Sequence, residues 1–208
     1  MLEINQFMKT KILSIFLICC MGFTMNAQEI KLPAPHKNGG QPLMKVFNER
    51  KSGRSFSDKD LTDQQLSDLL WAANGFNRED KRTVPTARNF QELELYVILK
   101  DGIYFYNAKE HKLTLVKSGD FRKDAGMQEY VADAPVNILI VSDTNKAASL
   151  QYSYTNCGYI SQNIYLYCAS EGLSTVARGA FDKDLLHKLL DLPEHLQVLL
   201  AQTVGYAK

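Results

Sequence analysis

The sequence predicts an α+β fold in one domain, with helices packed on a mainly antiparallel sheet. Its 208 residues suit one domain, since domains usually run to roughly 100–200 residues. Asp101-Gly102 is a strong signal for a tight turn between antiparallel strands. The run Val136–Val141 is apolar throughout, which is typical of a strand buried on both faces. Thr155–Gly172 is apolar around most of a helix and predicts a central buried helix.

Composition and charge indicate a globular protein and give no sign of a nucleic-acid partner or a metal site. The chain is 45% hydrophobic and 23% charged, which is typical of a globular protein with a substantial core. Its formal net charge is +1, so no broad electrostatic field indicates a nucleic-acid partner. We expect no metal site, because the four histidines show no ligand spacing: His36, His111, His187 and His195.

The first 27 residues predict a signal peptide. Lys9 and Lys11 form a short positive region before the apolar run Ile12–Phe23. That run is shorter than the roughly 20 apolar residues that a membrane-spanning helix needs. Ala27 offers a small residue at a cleavage point, which leaves residues 28–208 as the mature domain. A buried N-terminal helix is the alternative interpretation.

Two features of this leader leave further alternatives open. A start at Met8 in place of Met1 gives a shorter leader. Leu17-Ile18-Cys19-Cys20 loosely resembles a lipoprotein cleavage box, in which Cys20 would be acylated. We therefore expect an exported protein that is periplasmic, or anchored to the membrane by lipid if Cys20 is acylated.

Caps and periodicity place the remaining elements. Pro42 opens a helix that runs to Arg50. Thr62 and Gln65 form a capping box for a second helix, which ends at Gly75. The pattern also predicts an extended lead-in over 28–41, a loop over 76–89, strands over 92–99, 103–106, 113–116 and 197–206, and helices over 120–128 and 183–190.

Four other side chains have structural interpretations. Cys157 and Cys168 lie eleven positions apart on one predicted helix, about 16 Å along its axis. That separation is too large for a disulfide, so we interpret both as buried thiols. We expect His111 to be an exposed hairpin residue, and Trp71 to pack in the core.

Polar groups gather in three segments where the backbone must turn. The first, Glu49–Arg54, combines three cations, a hydroxyl and a glycine, which suits a phosphate group. A solvated surface run is the alternative interpretation. The second, Val84–Gln91, follows a proline turn with side chains that can donate to and accept from a flat heterocycle. Here the alternative is a capped helix start.

The third segment runs from Ser161-Gln162-Asn163 to Arg178-Gly179-Ala180-Phe181. Two amides within an apolar helix are costly to bury unless they are bonded. They could bond a ligand, or merely each other and the nearby backbone. Gly179 would let the chain pass close to a ligand.

In this order, the three segments resemble the nitroreductase family of FMN enzymes over about residues 43–206. Arg50-Lys51-Ser52-x-Arg54 resembles the family's flavin phosphate motif, and Pro85-Thr86-Ala87-x-Asn89-x-Gln91 is similar to its loop beside the isoalloxazine ring. Further matches are Ala134-Pro135, Gln162-Asn163 before Gly172-Leu173, and Val204-Gly205-Tyr206. The predicted hairpin over 102–113 resembles the branch of thiazole- and oxazole-forming dehydrogenases.

The resemblance implies a two-layer fold and a homodimer, with two FMN sites at the subunit interface. It implies that Arg50, Lys51, Ser52 and Arg54 hold the phosphate and ribityl chain. It places Pro85, Thr86, Ala87 and Asn89 along the ring, and Gln128 near its pyrimidine end. It brings Ala177, Arg178 and Gly179 near the flavin N5, where a backbone N–H can bond.

The implied activity is that of an FMN-dependent oxidoreductase. Electrons would pass from NAD(P)H or another donor to a small organic acceptor by a ping-pong cycle. The family often has Pro where Ala177 stands, and commonly a Glu or second Gly near Gly179-Ala180. These departures keep open an exported flavin- or ligand-binding protein without significant turnover. The catalytic Lys-Tyr pair of the azoline-oxidising branch has no match here, so its peptide substrate is not carried over.

Overall fold

A computed structural model describes residues 28–208, and the predicted signal peptide lies outside these residues. It confirms the α+β class, with a large antiparallel sheet flanked by helices. Between residues 28 and 208, no helix is long and apolar enough to cross a membrane. The strands are β1 (Glu29–Lys31), β2 (Phe76–Arg78), β3 (Lys81–Arg82), β4 (Leu93–Ile98), β5 (Gly102–Asn107), β6 (Lys112–Ser118), β7 (Val136–Asp143), β8 (Ser174–Arg178) and β9 (Leu196–Gly205).

Seven of these strands form one sheet in the order β1-β6-β5-β4-β7-β9-β8, and each neighbouring pair is antiparallel. Every residue of β7 is buried, which confirms the prediction from Val136–Val141. The hairpin predicted at Asp101-Gly102 joins β4 to β5, with Ile98 opposite Ile103. β8 lies at the edge beside β9, and the sequence patterns did not predict this strand.

Within residues 28–208, five α-helices accompany the sheet: α1 (Leu43–Glu49), α2 (Asp63–Asn74), α3 (Tyr130–Asp133), α4 (Leu150–Glu171) and α5 (Lys183–Leu189). The predicted capping box of α2 is confirmed. Thr62 Oγ1 accepts from the Gln65 N–H at 3.1 Å, and Gln65 Oε1 accepts from the Thr62 N–H at 3.0 Å. These bonds satisfy donors that a helix leaves free in its first turn.

The long helix α4 begins at Leu150, five residues before the predicted start. It begins there because Ser149 caps it, and it ends where Gly172 adopts a left-handed φ of 69°. Ile160, Ile164 and Cys168 are buried, whereas Tyr152, Tyr154 and Tyr159 on other faces are exposed. Burial is therefore confirmed for the face of α4 that meets the fold's core. Cys157 and Cys168 are both buried free thiols, as predicted.

The sheet carries a core on each face, because successive side chains of a strand point to opposite sides. Leu95 and Val97 of β4 pack with residues of α2 and α4 on one face. Tyr96 and Ile98 of the same strand pack with residues of α5 on the other face.

Two predicted regions differ in the structure. The predicted loop over 76–89 contains the β2–β3 hairpin and a 3-10 turn, Ala87–Asn89. Arg82 lies over the Phe76 ring in this hairpin, a contact that polar composition does not signal. The predicted helix over 120–128 is a 3-10 turn, Arg122–Ala125, because Gly126 is fully extended there. The separate helix α3 follows it.

Two side chains also differ from expectation. His111 was expected to be exposed, but it is half-buried. Its Nε2 lies 2.7 Å from Ser67 Oγ, and its Nδ1 lies 2.9 Å from the Tyr106 hydroxyl. Trp71 was expected in the core, but it is half-buried, and its indole N–H donates to the Phe76 carbonyl.

Candidate functional site

The Arg50–Arg54 segment follows the end of α1 and lies against α4 and β8. Ser52 Oγ lies 2.9 Å from the Tyr165 hydroxyl on α4. The Arg50 guanidinium stacks over the same tyrosine ring, 5.3 Å from its centroid. The Gly53 N–H donates to the Thr175 carbonyl of β8 at 2.9 Å. These contacts fix the segment along the outer edge of the sheet.

A cleft of about 490 Å³ opens between this segment, α4 and β8. Its volume falls in the usual range for small-molecule sites. The lining residues are Asn48, Glu49, Lys51, Gly53, Tyr165, Ala169, Gly172, Leu173, Ser174, Thr175 and Ala207. The predicted phosphate segment therefore forms one wall of a real cleft.

The chemistry of this wall fits an anion. A Cβ atom on Gly53 would lie 1.9 Å from Ser174 Oγ, so a larger residue here would require the Ser174 side chain to rotate away. None of the ion pairs within residues 28–208 involves Arg50, Lys51 or Arg54. Unpaired cations beside a cleft favour a ligand that carries negative charge.

Tyr165 joins the phosphate segment to the third predicted segment. Its hydroxyl accepts from the Ala177 N–H at 2.9 Å and also bonds Ser52 Oγ. The sequence patterns missed this residue. The available signal was a tyrosine within an apolar helix, because a hydroxyl in such a place needs a polar partner.

Ala177, Arg178 and Gly179 lie at the outer end of the edge strand β8. Thr175 and Ala177 turn backbone groups outward, to Gly53 and to Tyr165 respectively. Because a strand repeats every two residues, the next outward position is Gly179. Gly179 is exposed, and a Cβ there would meet no atom within 4 Å. Its backbone is therefore open to a ligand.

The Arg178 side chain points into the core instead. Its Nε donates to Thr203 Oγ1, one Nη donates to the Ala125 carbonyl, and the other donates to Asn137 Oδ1, at 2.9–3.1 Å. Burial lowers the pKa of Arg178 to about 10. By the same alternation, the backbone groups of Arg178 face β9, where Arg178 pairs with Ala201, and not the outer edge of the sheet.

Gln128 lies next to this edge. The N–H of the preceding Met127 donates to the Ala180 carbonyl at 3.2 Å. Gln128 Oε1 is buried and has no hydrogen-bond partner within the described chain. A buried amide oxygen without a donor is costly, and a ligand or an ordered water could supply that donor.

The Pro85–Gln91 loop is held by hydrogen bonds to its own side chains and to the β2–β3 hairpin. Thr86 Oγ1 accepts from the Gln91 N–H at 2.9 Å. The Asn89 side chain donates to the Asp80 carbonyl at 3.2 Å. Pro85 is exposed, and Thr86, Ala87 and Asn89 are half-buried, so the loop presents a partly open surface.

Within one chain, the Pro85–Gln91 loop does not line the cleft that the phosphate segment forms with α4 and β8. Glu92, beside the loop, accepts from Asn156 of α4 at 2.7 Å, whereas Ser52 meets Tyr165. Asn156 and Tyr165 are nine residues apart, which is about 13 Å and two and a half turns of helix. Ser52 and Glu92 therefore contact opposite sides of α4, well apart along its axis.

Comparisons with known proteins agree on one family. Residues 48–206 match the Nitroreductase family. A protein of Methanocaldococcus jannaschii, provisionally named a nitroreductase, is 29% identical over 197 residues, which cover 86% of this chain and 96% of that protein. A structure from Ralstonia eutropha JMP134, also provisionally named a nitroreductase, has a TM-score of 0.82 at 35% identity and covers 88% of this chain and 91% of its own. A third, from Desulfovibrio desulfuricans and solved in complex with FMN, has a TM-score of 0.60 at 21% identity, over 81% and 88% of the two chains.

The antiparallel sheet with its flanking helices is the fold shared with these structures, and the family match indicates an oxidoreductase. The chain belongs to the nitroreductase family, as the resemblance predicted.

Proposed function

We propose that the protein is an FMN-dependent oxidoreductase, which passes electrons from a reduced nicotinamide or another donor to a small organic acceptor by a ping-pong cycle. The observation that carries this proposal is the cleft at β8, which is lined by Lys51 and Gly53. Arg50 and Arg54 belong to the same segment, and none of its three cations forms an ion pair within residues 28–208. The FMN complex of the relative from Desulfovibrio desulfuricans supports the choice of cofactor.

The residues present fit such a cofactor. Arg50, Lys51 and Arg54 offer positive charge to the phosphate, and Ser52 offers a hydroxyl that Tyr165 already orients. Gly179 follows β8 at the position whose backbone is open, which makes its N–H the donor that we assign to the flavin N5. When bound, FMN would supply the two-electron chemistry, while these groups bind and orient it.

We further propose that the functional unit is a homodimer. Ser52 of the phosphate segment and Glu92, which directly follows the Pro85–Gln91 loop, contact opposite sides of α4, so we expect one complete site to need the loop of a second copy. α1 and α4 also expose large apolar side chains that a partner could cover, namely Leu43, Met44, Phe47, Tyr152, Tyr154 and Tyr159. Pro85, Thr86, Ala87 and Asn89 would then line a ring whose phosphate lies on the other copy.

We propose that this domain works outside the cytoplasm, either periplasmic or lipid-anchored through Cys20, because residues 1–27 have the pattern of an export signal. NAD(P)H is chiefly cytoplasmic, so an exported enzyme would need an electron donor other than that cytoplasmic pool.

An absorbance spectrum tests the cofactor assignment directly. After incubation with FMN and desalting, the purified protein should retain visible flavin bands at about one equivalent per chain. A folded but colourless protein would contradict the assignment. A bound flavin that no donor reduces would instead favour the flavin-binding alternative without turnover.

The double variant Arg50→Ala with Arg54→Ala tests the phosphate wall. Each charge-assisted bond contributes about 1.5–3 kcal/mol, so FMN affinity should fall by a few kcal/mol. Titration of flavin fluorescence measures this, with Arg78→Ala as a control on an exposed cation of β2. Unchanged affinity in the double variant would exclude this segment as the phosphate site.

A further inference from the structure

The Pro85–Gln91 loop holds an unusual backbone conformation. Arg88, Asn89 and Gln91 have φ angles of 51°, 60° and 51°. A non-glycine residue in this left-handed region costs about 1 kcal/mol or more. Three such residues within four positions persist only if surrounding bonds hold them in place.

Those bonds converge on the side chain of Gln91. Its Nε2 donates to the Asp80 carbonyl at 2.8 Å and to Asn89 Oδ1 at 3.1 Å. Its Oε1 accepts from Arg82 Nε at 3.0 Å. The side chain therefore links the loop to the β2–β3 hairpin through both ends of its amide.

Arg82 connects this bonded unit to the rest of the fold. Its Nη1 donates to the Asn74 carbonyl at the end of α2, at 2.8 Å. Its guanidinium stacks over the Phe76 ring, 4.3 Å from the centroid. None of the ion pairs within residues 28–208 includes Arg82, although its side chain is partly buried. A planar fork can reach Gln91 and Asn74 together, whereas a single ammonium group cannot reproduce that geometry.

We propose that Arg82 is a positioning residue that holds the Pro85–Gln91 loop in its ligand-binding conformation. Arg82 acts through Gln91 and does not itself touch the ligand. The identity of that ligand as the flavin ring rests on the proposed function. The ordering of the loop by Arg82 does not, because every bond in the chain of contacts is made by the protein alone.

Hydrogen exchange of the full chain without FMN tests the ordering. The Asn89, Phe90 and Gln91 amides are bonded within the loop. In Arg82→Gln and Arg82→Lys these amides should exchange about tenfold faster or more, since a charge-assisted bond is lost. Amides of β7 and α4 should keep their wild-type rates. Arg78→Gln is the matched control, because within residues 28–208 the Arg78 side chain hydrogen-bonds only its neighbour Asn77.

Unchanged loop exchange in both Arg82 variants would overturn the proposal. So would an equal increase throughout the chain, which would show that Arg82 stabilises the whole fold and not this loop. If the wild type binds no FMN, the proposed function fails, and the exchange data still decide whether Arg82 orders the loop.

Flavin titration tests the route through Gln91. FMN affinity should fall about tenfold in Arg82→Gln, in Arg82→Lys and in Gln91→Ala. The double variant Arg82→Gln with Gln91→Ala should bind no more weakly than Gln91→Ala alone, because both changes break one path. Losses that add in the double variant would show that Arg82 acts by another route.

Discussion

Arg178 is a buried cation whose hydrogen-bond partners are all neutral. Its side chain is 4% exposed, and it donates to Thr203, Ala125 and Asn137. Thr203 Oγ1 in turn donates to Asn137 Oδ1 at 2.7 Å. The guanidinium thus joins β8, β9, β7 and the Arg122–Ala125 turn directly behind the proposed N5 contact.

Arg178→Lys should lower the free energy of unfolding by about 3 kcal/mol. One ammonium group cannot reach three acceptors in different directions, yet its charge must still be buried. Arg178→Met should cost less, because it removes the buried charge together with the bonds. Urea unfolding measures both values, with the exposed Lys123→Met as a control. A lysine variant as stable as wild type would contradict this account.

His111 makes the stability sensitive to pH. Ser67 Oγ donates to the Pro33 carbonyl at 2.6 Å, so its lone pair is left to accept from His111 Nε2–H. Tyr106 then donates to Nδ1, and the ring is neutral. Burial lowers the pKa of His111 from 6.5, against opposing effects from the Pro33 carbonyl and Asp68, while Lys37 lowers it further.

Because the folded pKa lies below the unfolded value, the unfolded chain binds more protons below about pH 6.5. The contribution of His111 is therefore fully present above that pH and decreases as the pH falls towards the folded pKa. Unfolding free energies measured between pH 7 and 5 should decrease in the wild type and decrease less in His111→Gln. Equal slopes in the two proteins would contradict the assigned neutral ring.

At the scale of the element, α4 and its C-terminal cap contain two glycines that have equal room for a side chain but different backbone conformations. A Cβ on Gly158 or on Gly172 would meet no atom within 4 Å. Gly158 lies within the helix, whereas Gly172 has a φ of 69° at its end. Any difference between alanine substitutions at the two positions would therefore come from the backbone.

Gly158→Ala should raise the free energy of unfolding by about 0.5–1 kcal/mol, because alanine favours the helix. Gly172→Ala should lower it by about 1 kcal/mol, because a Cβ disfavours the left-handed conformation. Thermal or urea unfolding of the two variants measures the sign of the change in the free energy of unfolding for each one. A destabilising Gly158→Ala would indicate that another surface packs closely on this face.

Local signals explain which elements the sequence predicts. The α2 capping box, the Asp101-Gly102 hairpin and β7 were predicted correctly, since a few consecutive residues determine each one. β8 was missed, because Ser174–Arg178 is short and mixed in polarity, and its partner β9 lies far along the chain. For the same reason, residue types indicated the phosphate segment, but only the fold shows that Tyr165 connects this segment to β8 and that Arg82 connects the Pro85–Gln91 loop to α2.

At the scale of the molecule, a complete flavin site depends on formation of the proposed dimer. Within one chain, Ser52 of the phosphate segment and Glu92 beside the Pro85–Gln91 loop contact opposite sides of α4. α1 and α4 also expose large apolar side chains, and we propose that a second copy covers them. Assembly and flavin binding should therefore fail together.

Sedimentation of the protein should give the mass of two chains. Phe47→Glu combined with Tyr159→Glu places charge at two exposed apolar positions and should give the mass of one chain. The same variant should bind FMN at least about tenfold more weakly, because the loop of the second copy is lost. A single chain with wild-type affinity for FMN would show that the site is complete within one copy.

The two buried thiols of α4 can report how often the core of the molecule opens. Burial raises the pKa of Cys157 to about 12 and that of Cys168 further still. Thiolates are the form that alkylating reagents attack, so neither sulfur should react while the helix stays docked. Each labelling event, read peptide by peptide, would thus time an opening of the core. Since the two sulfurs lie about 16 Å apart along the axis, their separate rates would tell which end of the helix loosens first.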